Sequence, residues 1–183
     1  MKKIILTLPE NINQCNSNNN NSTKIIPPKQ QKSRKVTEMK KWNFDNITME
    51  EEKELIIECR KPVSQVKSTE FLKQQIKNKL SSYKSQDKQK QLFSESEFIN
   101  LQQTIELLEE SQHKCFYCKE PVKLLYANVR EPKQWTLERL DNDHGHNYGN
   151  VKIACLNCNL RRRTMYHERF STTQEIKNVV KIG

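Results

Sequence analysis

Cys115-Phe116-Tyr117-Cys118 and, after 36 intervening residues (119–154), Cys155-Leu156-Asn157-Cys158 decide how this chain is read. A Cys-x-x-Cys turn aims two thiolates at one point, and two such turns complete the tetrahedral shell that structural zinc prefers. The competing reading, a redox Cys-x-x-Cys, needs only one pair in a thioredoxin-like context that is absent here. Four sulfur ligands leave no open position for water. The zinc is therefore expected to be structural and to supply much of the folding energy of a module with a small core.

The segment between the pairs is dense in chemistry. Trp135-Thr136-Leu137-Glu138-Arg139-Leu140-Asp141-Asn142-Asp143-His144-Gly145-His146-Asn147-Tyr148-Gly149-Asn150 gathers carboxylates, imidazoles and amides before the second cysteine pair, and Asn159 follows that pair directly. Residues 122–126 and 135–140 have β-branched, aromatic and alternating character, with Pro132 in the loop between them, and are expected to form a hairpin. Residues 151–154 read as one more strand. From Asn157 the run Asn159-Leu160-Arg161-Arg162-Arg163, with Met165, Tyr166 and Phe170 behind it, reads as a helix starting on the last cysteine pair. Residues 171–182 read as a final short helix containing Ile176, Val179 and Val180.

In its order of Cys-x-x-Cys, strand, acidic strand end, Gly-His loop, Asn-Val, Cys-x-x-Cys-Asn and basic helix, the stretch from Lys114 to Arg163 resembles the HNH endonuclease family. The resemblance covers about a quarter of the chain, and only the combination of motifs is specific. It implies a small α+β module of the zinc-stabilised ββα-metal, treble-clef-like kind, with one catalytic divalent ion, Mg²⁺ or Mn²⁺, beside a structural zinc clamp. Glu138 matches the carboxylate that ligates the catalytic ion, and Asn159 matches the last named position, which also faces that ion. Asn150 matches a loop staple whose amide bonds to backbone. Where the family carries a general-base His, this chain has Arg139, which stays protonated and cannot take a proton from water.

Two nearby imidazoles offer a replacement, since an unperturbed pKa near ~6.5 suits base work at neutral pH. His146 is preferred over His144 because it follows Gly145, where the chain can turn sharply; the alternative is that His146 only buttresses the loop. Asp141 is either a second ion ligand or a plain turn residue. Arg139 could bind the pentavalent phosphate. Arg161, Arg162 and Arg163 are expected to clamp a nucleic-acid backbone. His113, His167, Trp135 and Tyr148 read as packing or surface groups, and Cys15 and Cys59 as unpaired.

Outward from this module the chain becomes lean in apolar residues. Of 183 residues, 34% are hydrophobic and 30% charged, with 32 Lys and Arg against 22 Asp and Glu. The net charge of +10 favours a polyanionic partner, DNA or RNA, through counterion release. No stretch approaches the roughly 18 to 20 consecutive apolar residues of a membrane span, so no membrane partner is expected. The opening Ile4-Ile5-Leu6-Thr7-Leu8 is cut short by Pro9 and Glu10, too soon for a secretory signal. With the cysteine pairs suited to metal rather than disulfides, an intracellular, reducing compartment is expected, cytoplasm or nucleus.

The sequence divides into a disordered, basic, Asn-rich arm (1–40), a helical extension (41–112) and the zinc module (113–183). Asn16 to Ser22 is almost pure Asn and Ser, and the arm holds too little apolar surface to offset the entropy of ordering it. Three helices are expected in the extension. One is capped by Thr48 and Glu51, carries Leu55, Ile56 and Cys59, and ends at Pro62; one covers residues 68–83 with Leu72, Ile76, Leu80 and Tyr83 in line. The third is opened by a Ser94–Glu97 capping box, with Phe98, Leu101, Ile105 and Leu108 forming its stripe. Two functional classes follow: a metal-dependent endonuclease, and a noncatalytic zinc-finger protein that binds nucleic acid without cutting it.

Overall fold

Thr48 begins the first helix as its sequence predicts. Its hydroxyl accepts the Glu51 N–H at 3.2 Å while the Glu51 carboxylate accepts the Thr48 N–H at 2.7 Å, and α1 runs Met49–Arg60. The computed structural model describes residues 31–38, 42–61 and 66–179, the side chains of 177–179 excepted. The basic arm before residue 31, with Cys15 and the Asn/Ser run, and Pro62, Val180 and Ile182 lie outside the described residues. From residue 31 the arm is seated on the module: Ser33 bridges to Asn128, and the Arg34 guanidinium lies 4.2 Å above the Tyr126 ring and donates to Gln75.

The second helix, α2 (Lys67–Gln89), continues past the expected end at Tyr83, because no Gly or Pro interrupts residues 84–89 and the inward stripe Leu72, Ile76, Leu80, Tyr83 extends through Asp87. The third starts later than expected. The Ser94–Glu97 box does not form; Asn100 caps α3 (Leu101–Glu110) through a box with Gln103. Residues 97–99 instead pair with the Gly-His loop: the Ile99 N–H donates to His146 O, the Tyr148 N–H to Glu97 O, and the Asn147 amide to the Glu97 carboxylate. Backbone groups that a helix would have satisfied internally are satisfied by that loop.

A second correction concerns the hairpin. Residues 122–126 form no strand: Lys123 makes only an isolated bridge to Gln134, while Val122, Leu124, Leu125 and Tyr126 are buried. The only sheet among the described residues pairs β1 (Trp135–Arg139) with β2 (Val151–Cys155), antiparallel, with Trp135 opposite Cys155 and Arg139 opposite Val151. From β2 the chain passes directly into α4 (Leu156–Arg162), whose N-cap is Cys155. The single helix expected from Asn157 past Phe170 is broken at Arg163, where φ is 53°, and α5 (His167–Val179) replaces the helix expected over 171–182.

The outcome is a mixed α+β unit of five α-helices and a two-stranded sheet among the described residues. One apolar cluster joins Leu55, Ile56, Leu72, Ile76, Ile105 and Leu108 of the helices to Trp135, Leu137 and Ile153 of the sheet and Phe170 of α5. Each such side chain contributes about 1.5–3 kcal/mol on burial. The helical region and the cysteine-bearing region thus share a core, with no seam at residue 113. A polar tie runs between them as well: Glu52 of α1, buried, accepts the Leu124 N–H at 3.0 Å and the Leu125 N–H at 2.8 Å. Among the described residues no helix is long and apolar enough to cross a membrane.

Candidate functional site

The four cysteines come together. Cys115 and Cys118 sit on a turn after α3, where the Phe116 N–H donates to Ile153 O of β2, and Cys155 and Cys158 straddle the β2–α4 junction. Their sulfur atoms all lie within 4.8 Å of one another, with Cys118 and Cys155 at 3.9 Å. A tetrahedron with metal–sulfur bonds of ~2.3 Å has an edge of roughly 3.8 Å, so the cluster is compatible with a structural metal ion. Hydrogen bonds from Cys155 and Cys158 hold the Cys115 thiol well below the ordinary thiol range and push their own upward. Sulfurs this close cannot all ionise unless a cation sits among them. No disulfide forms among the described residues, and Cys59 is buried in the helical core.

A second constellation surrounds a cavity of about 580 Å³ that no cysteine lines. Glu138, Arg139, His146, Asn159 and Arg163 all border it, as do Lys79 and Tyr83 of α2. A larger recess of about 980 Å³ beside Phe71 and Gln75 brings no carboxylate and imidazole together.

Glu138 is 4% exposed, and burial raises its pKa against the pull of Arg162. The Arg162 guanidinium donates to Glu138 Oε1, and Tyr117 Oη reaches the same oxygen at 3.5 Å. Arg162 is itself buried. It also donates to Arg139 O and Leu140 O, each at 2.8 Å, so it holds the end of β1 and is not a surface clamp for nucleic acid. Arg161 and Arg163 stay exposed. The Asn159 amide donates to Thr136 Oγ1 at 3.2 Å, which leaves its own carbonyl oxygen for another partner.

His146 is buried, with Nδ1 2.8 Å from Asp87 Oδ1 and its backbone N–H donating to Asp87 Oδ2 at 2.7 Å. Burial lowers its pKa; Asp87 opposes this, while Arg139 and Lys90 add to it. The remaining loop residues point elsewhere. The Asp141 carboxylate accepts the Asp143 N–H at 2.9 Å and meets His144 Nδ1 at 2.8 Å, which makes it a turn residue with an exposed partner. Asn150 is the staple: its amide donates to Asp141 O and Gly145 O, and its carbonyl oxygen accepts the Asp141 N–H, all at 3.0 Å. Arg139 spends Nη1 on Asn142 O and His144 O, bracing the same loop.

Sequence reading misses Lys79, Tyr83 and Asp87, which α2 brings to the cavity or to His146 from far upstream. Lys79 donates to Gln134 Oε1 at 3.2 Å and to Trp135 O, and lies 4.6 Å above the Trp135 ring; burial pushes its pKa down to about 7. A signal for Asp87 was present, since it extends the apolar stripe Ile76, Leu80, Tyr83 with a carboxylate. No protein-family model, curated protein or solved structure matches the chain.

Proposed function

We propose that this chain is a metal-dependent endonuclease of the HNH kind that hydrolyses DNA phosphodiester bonds, with its four cysteines holding a structural zinc ion. The observation that supports it is that Glu138, His146 and Asn159 border one cavity that none of the four cysteines lines. Oxygen donors remain there for a hard cation: Glu138 has a second carboxylate oxygen beyond the one Arg162 and Tyr117 engage, and Asn159 has its carbonyl. Mg²⁺ or Mn²⁺ held by these two residues would neutralise the scissile phosphate and stabilise the leaving oxygen. His146, neutral at physiological pH, accepts the proton of the attacking water at Nε2. Lys79, Arg163 and the free edge of Arg139 meet the negative charge that gathers on phosphorus oxygens. Arg161 and Arg163 engage the phosphate backbone.

One observation favours the second reading, a noncatalytic zinc-finger protein that binds nucleic acid. Glu138 already has a buried guanidinium as its counter-charge, which weakens its attraction for a divalent ion. A plasmid nicking assay with Mg²⁺ or Mn²⁺ separates the two. His146→Ala and Asn159→Ala are expected to slow nicking by about 10²–10⁴-fold. Glu138→Gln, which keeps an acceptor for Arg162, should weaken the response to the ion. Supercoiled plasmid that is bound yet left intact by the wild-type chain would favour the binding module, and an RNA substrate in parallel fixes the nucleic acid.

A further inference from the structure

We propose that Asp87 of α2 is the positioning residue for His146, holding its imidazole as the Nδ1–H tautomer with a bare Nε2 toward the cavity. This rests on the reading of His146 as the proton acceptor.

Asp87 is fully buried, and both its oxygens are spent on one residue, 59 positions away: Oδ2 on the His146 N–H and Oδ1 on Nδ1. An ionised carboxylate only accepts hydrogen bonds. Nδ1 therefore carries the proton, and Nε2, which no group among the described residues engages, keeps its lone pair. The ring cannot swivel out of this arrangement. Tyr83 covers it, with ring centroids 4.4 Å apart, and Tyr83 is fixed in turn because its Oη accepts the Leu137 N–H at 3.1 Å.

Gly145 makes the close approach feasible. A Cβ there would fall 2.5 Å from Leu92 O and 2.9 Å from Asp87 Oδ2, so any side chain would drive the loop away from the carboxylate. Leu92 is part of the same clamp, its N–H donating to Asp87 O at 2.9 Å. The charged groups facing His146 are Asp87 of α2, Lys90 at that helix's C-cap and Arg139 of β1; of these only Asp87 favours the imidazolium that forms when Nε2 takes a proton. A carboxylate with this role fixes tautomer and orientation without being protonated itself.

The experiment uses the full zinc-loaded chain and two readouts. In ¹⁵N-histidine-labelled protein, two-bond proton–nitrogen correlations are expected to report the Nδ1–H tautomer for His146. In Asp87→Asn the side-chain oxygen still accepts the backbone N–H, while the amide NH₂ faces Nδ1 and moves the proton to Nε2. An Nε2–H tautomer in the wild type would overturn the proposal whether or not the chain cuts DNA. In nicking assays Asp87→Asn should lower kcat by about 10²–10⁴-fold with KM unchanged. Its acid limb should move to lower pH, since a negative neighbour is lost.

Asp87→Glu retains an anionic acceptor and is expected to keep the Nδ1–H tautomer and cut faster than Asp87→Asn. The double variant Asp87→Asn/His146→Ala should be no slower than His146→Ala alone, because the two act as a unit. Wild-type rates in Asp87→Asn, the reverse order of the Asn and Glu variants, or additive losses in the double variant would each reject the role of Asp87. A wild type that never nicks rejects the nuclease reading, and Asp87's part in catalysis with it.

Discussion

Glu52 and Asp87 occupy matching places in the molecule. Each is an acid on the inward stripe of a helix, each is buried, and each reaches out of the helical region to the backbone of a distant loop. They differ in what else they touch. Among the described residues Glu52 hydrogen-bonds only the N–H groups of Leu124 and Leu125, and burial raises its pKa to about 7. Asp87 meets one N–H and one imidazole, and that imidazole belongs to a residue bordering a cavity. A buried acid bonded only to backbone fastens a loop. A buried acid bonded to a titratable ring also sets where that ring's proton sits.

The largest expected effect removes what both fasteners depend on. The loops they hold lie in sequence between the two cysteine pairs, and structural zinc sites contribute roughly 10–16 kcal/mol at neutral pH. Stripping the zinc proposed for the four cysteines with a chelator, or Cys158→Ser, should therefore abolish the cooperative thermal transition; an unchanged melting curve would mean the helical core folds without it. Next in size, Glu52→Ala leaves two buried N–H groups unsatisfied, at about 1–3 kcal/mol each. Urea denaturation should show that loss while nicking per folded molecule stays constant, whereas Asp87→Ala should lose both. Equal effects on nicking would erase the distinction.

The smallest effect is a difference in pH slope. The folded pKa of Glu52 lies above its ordinary value, so its contribution to stability is full below about pH 4.5 and is lost as pH rises through about 7. For His146 the folded pKa is lowered, so its contribution is present above its ordinary value and is lost as pH falls through the folded one. His113, buried and held down to about 4, adds a slope of the same sign as His146. Stability curves from pH 5 to 8.5 should accordingly differ between wild type and Glu52→Gln by an order of 1–3 kcal/mol, with the variant gaining at the alkaline end.

What could be read from the sequence was local. The two cysteine pairs and the Thr48–Glu51 box each rest on spacings of a few residues, and the structure carries both; Asn150 came only with the family resemblance, and its amide bonds Asp141 O and Gly145 O. The start of α3 and the partner of β1 depended on distant segments: residues 97–99 pair with the Gly-His loop, and β1 takes β2 as its strand partner while Lys123 keeps only an isolated bridge to Gln134. Arg162 reads as one of three equivalent cations until the helix is built, when it turns inward onto Glu138 while Arg161 and, at the C-cap, Arg163 stay exposed. Glu52 and Asp87 extend the apolar stripes of α1 and α2 with a carboxylate at one end, but a stripe does not say which loop will arrive to meet it.

The tie between Asp87 and His146 also bears on how this piece of protein can be moved. A graft of residues 113–183 into another scaffold would carry the metal cage and the strand-strand-helix unit, yet would leave behind the acid that orients the imidazole and the one that anchors 124–125. Portability therefore requires α1 and α2 to travel with the cysteines, and the smallest transferable cassette is set by two helix carboxylates rather than by the sulfur ligands.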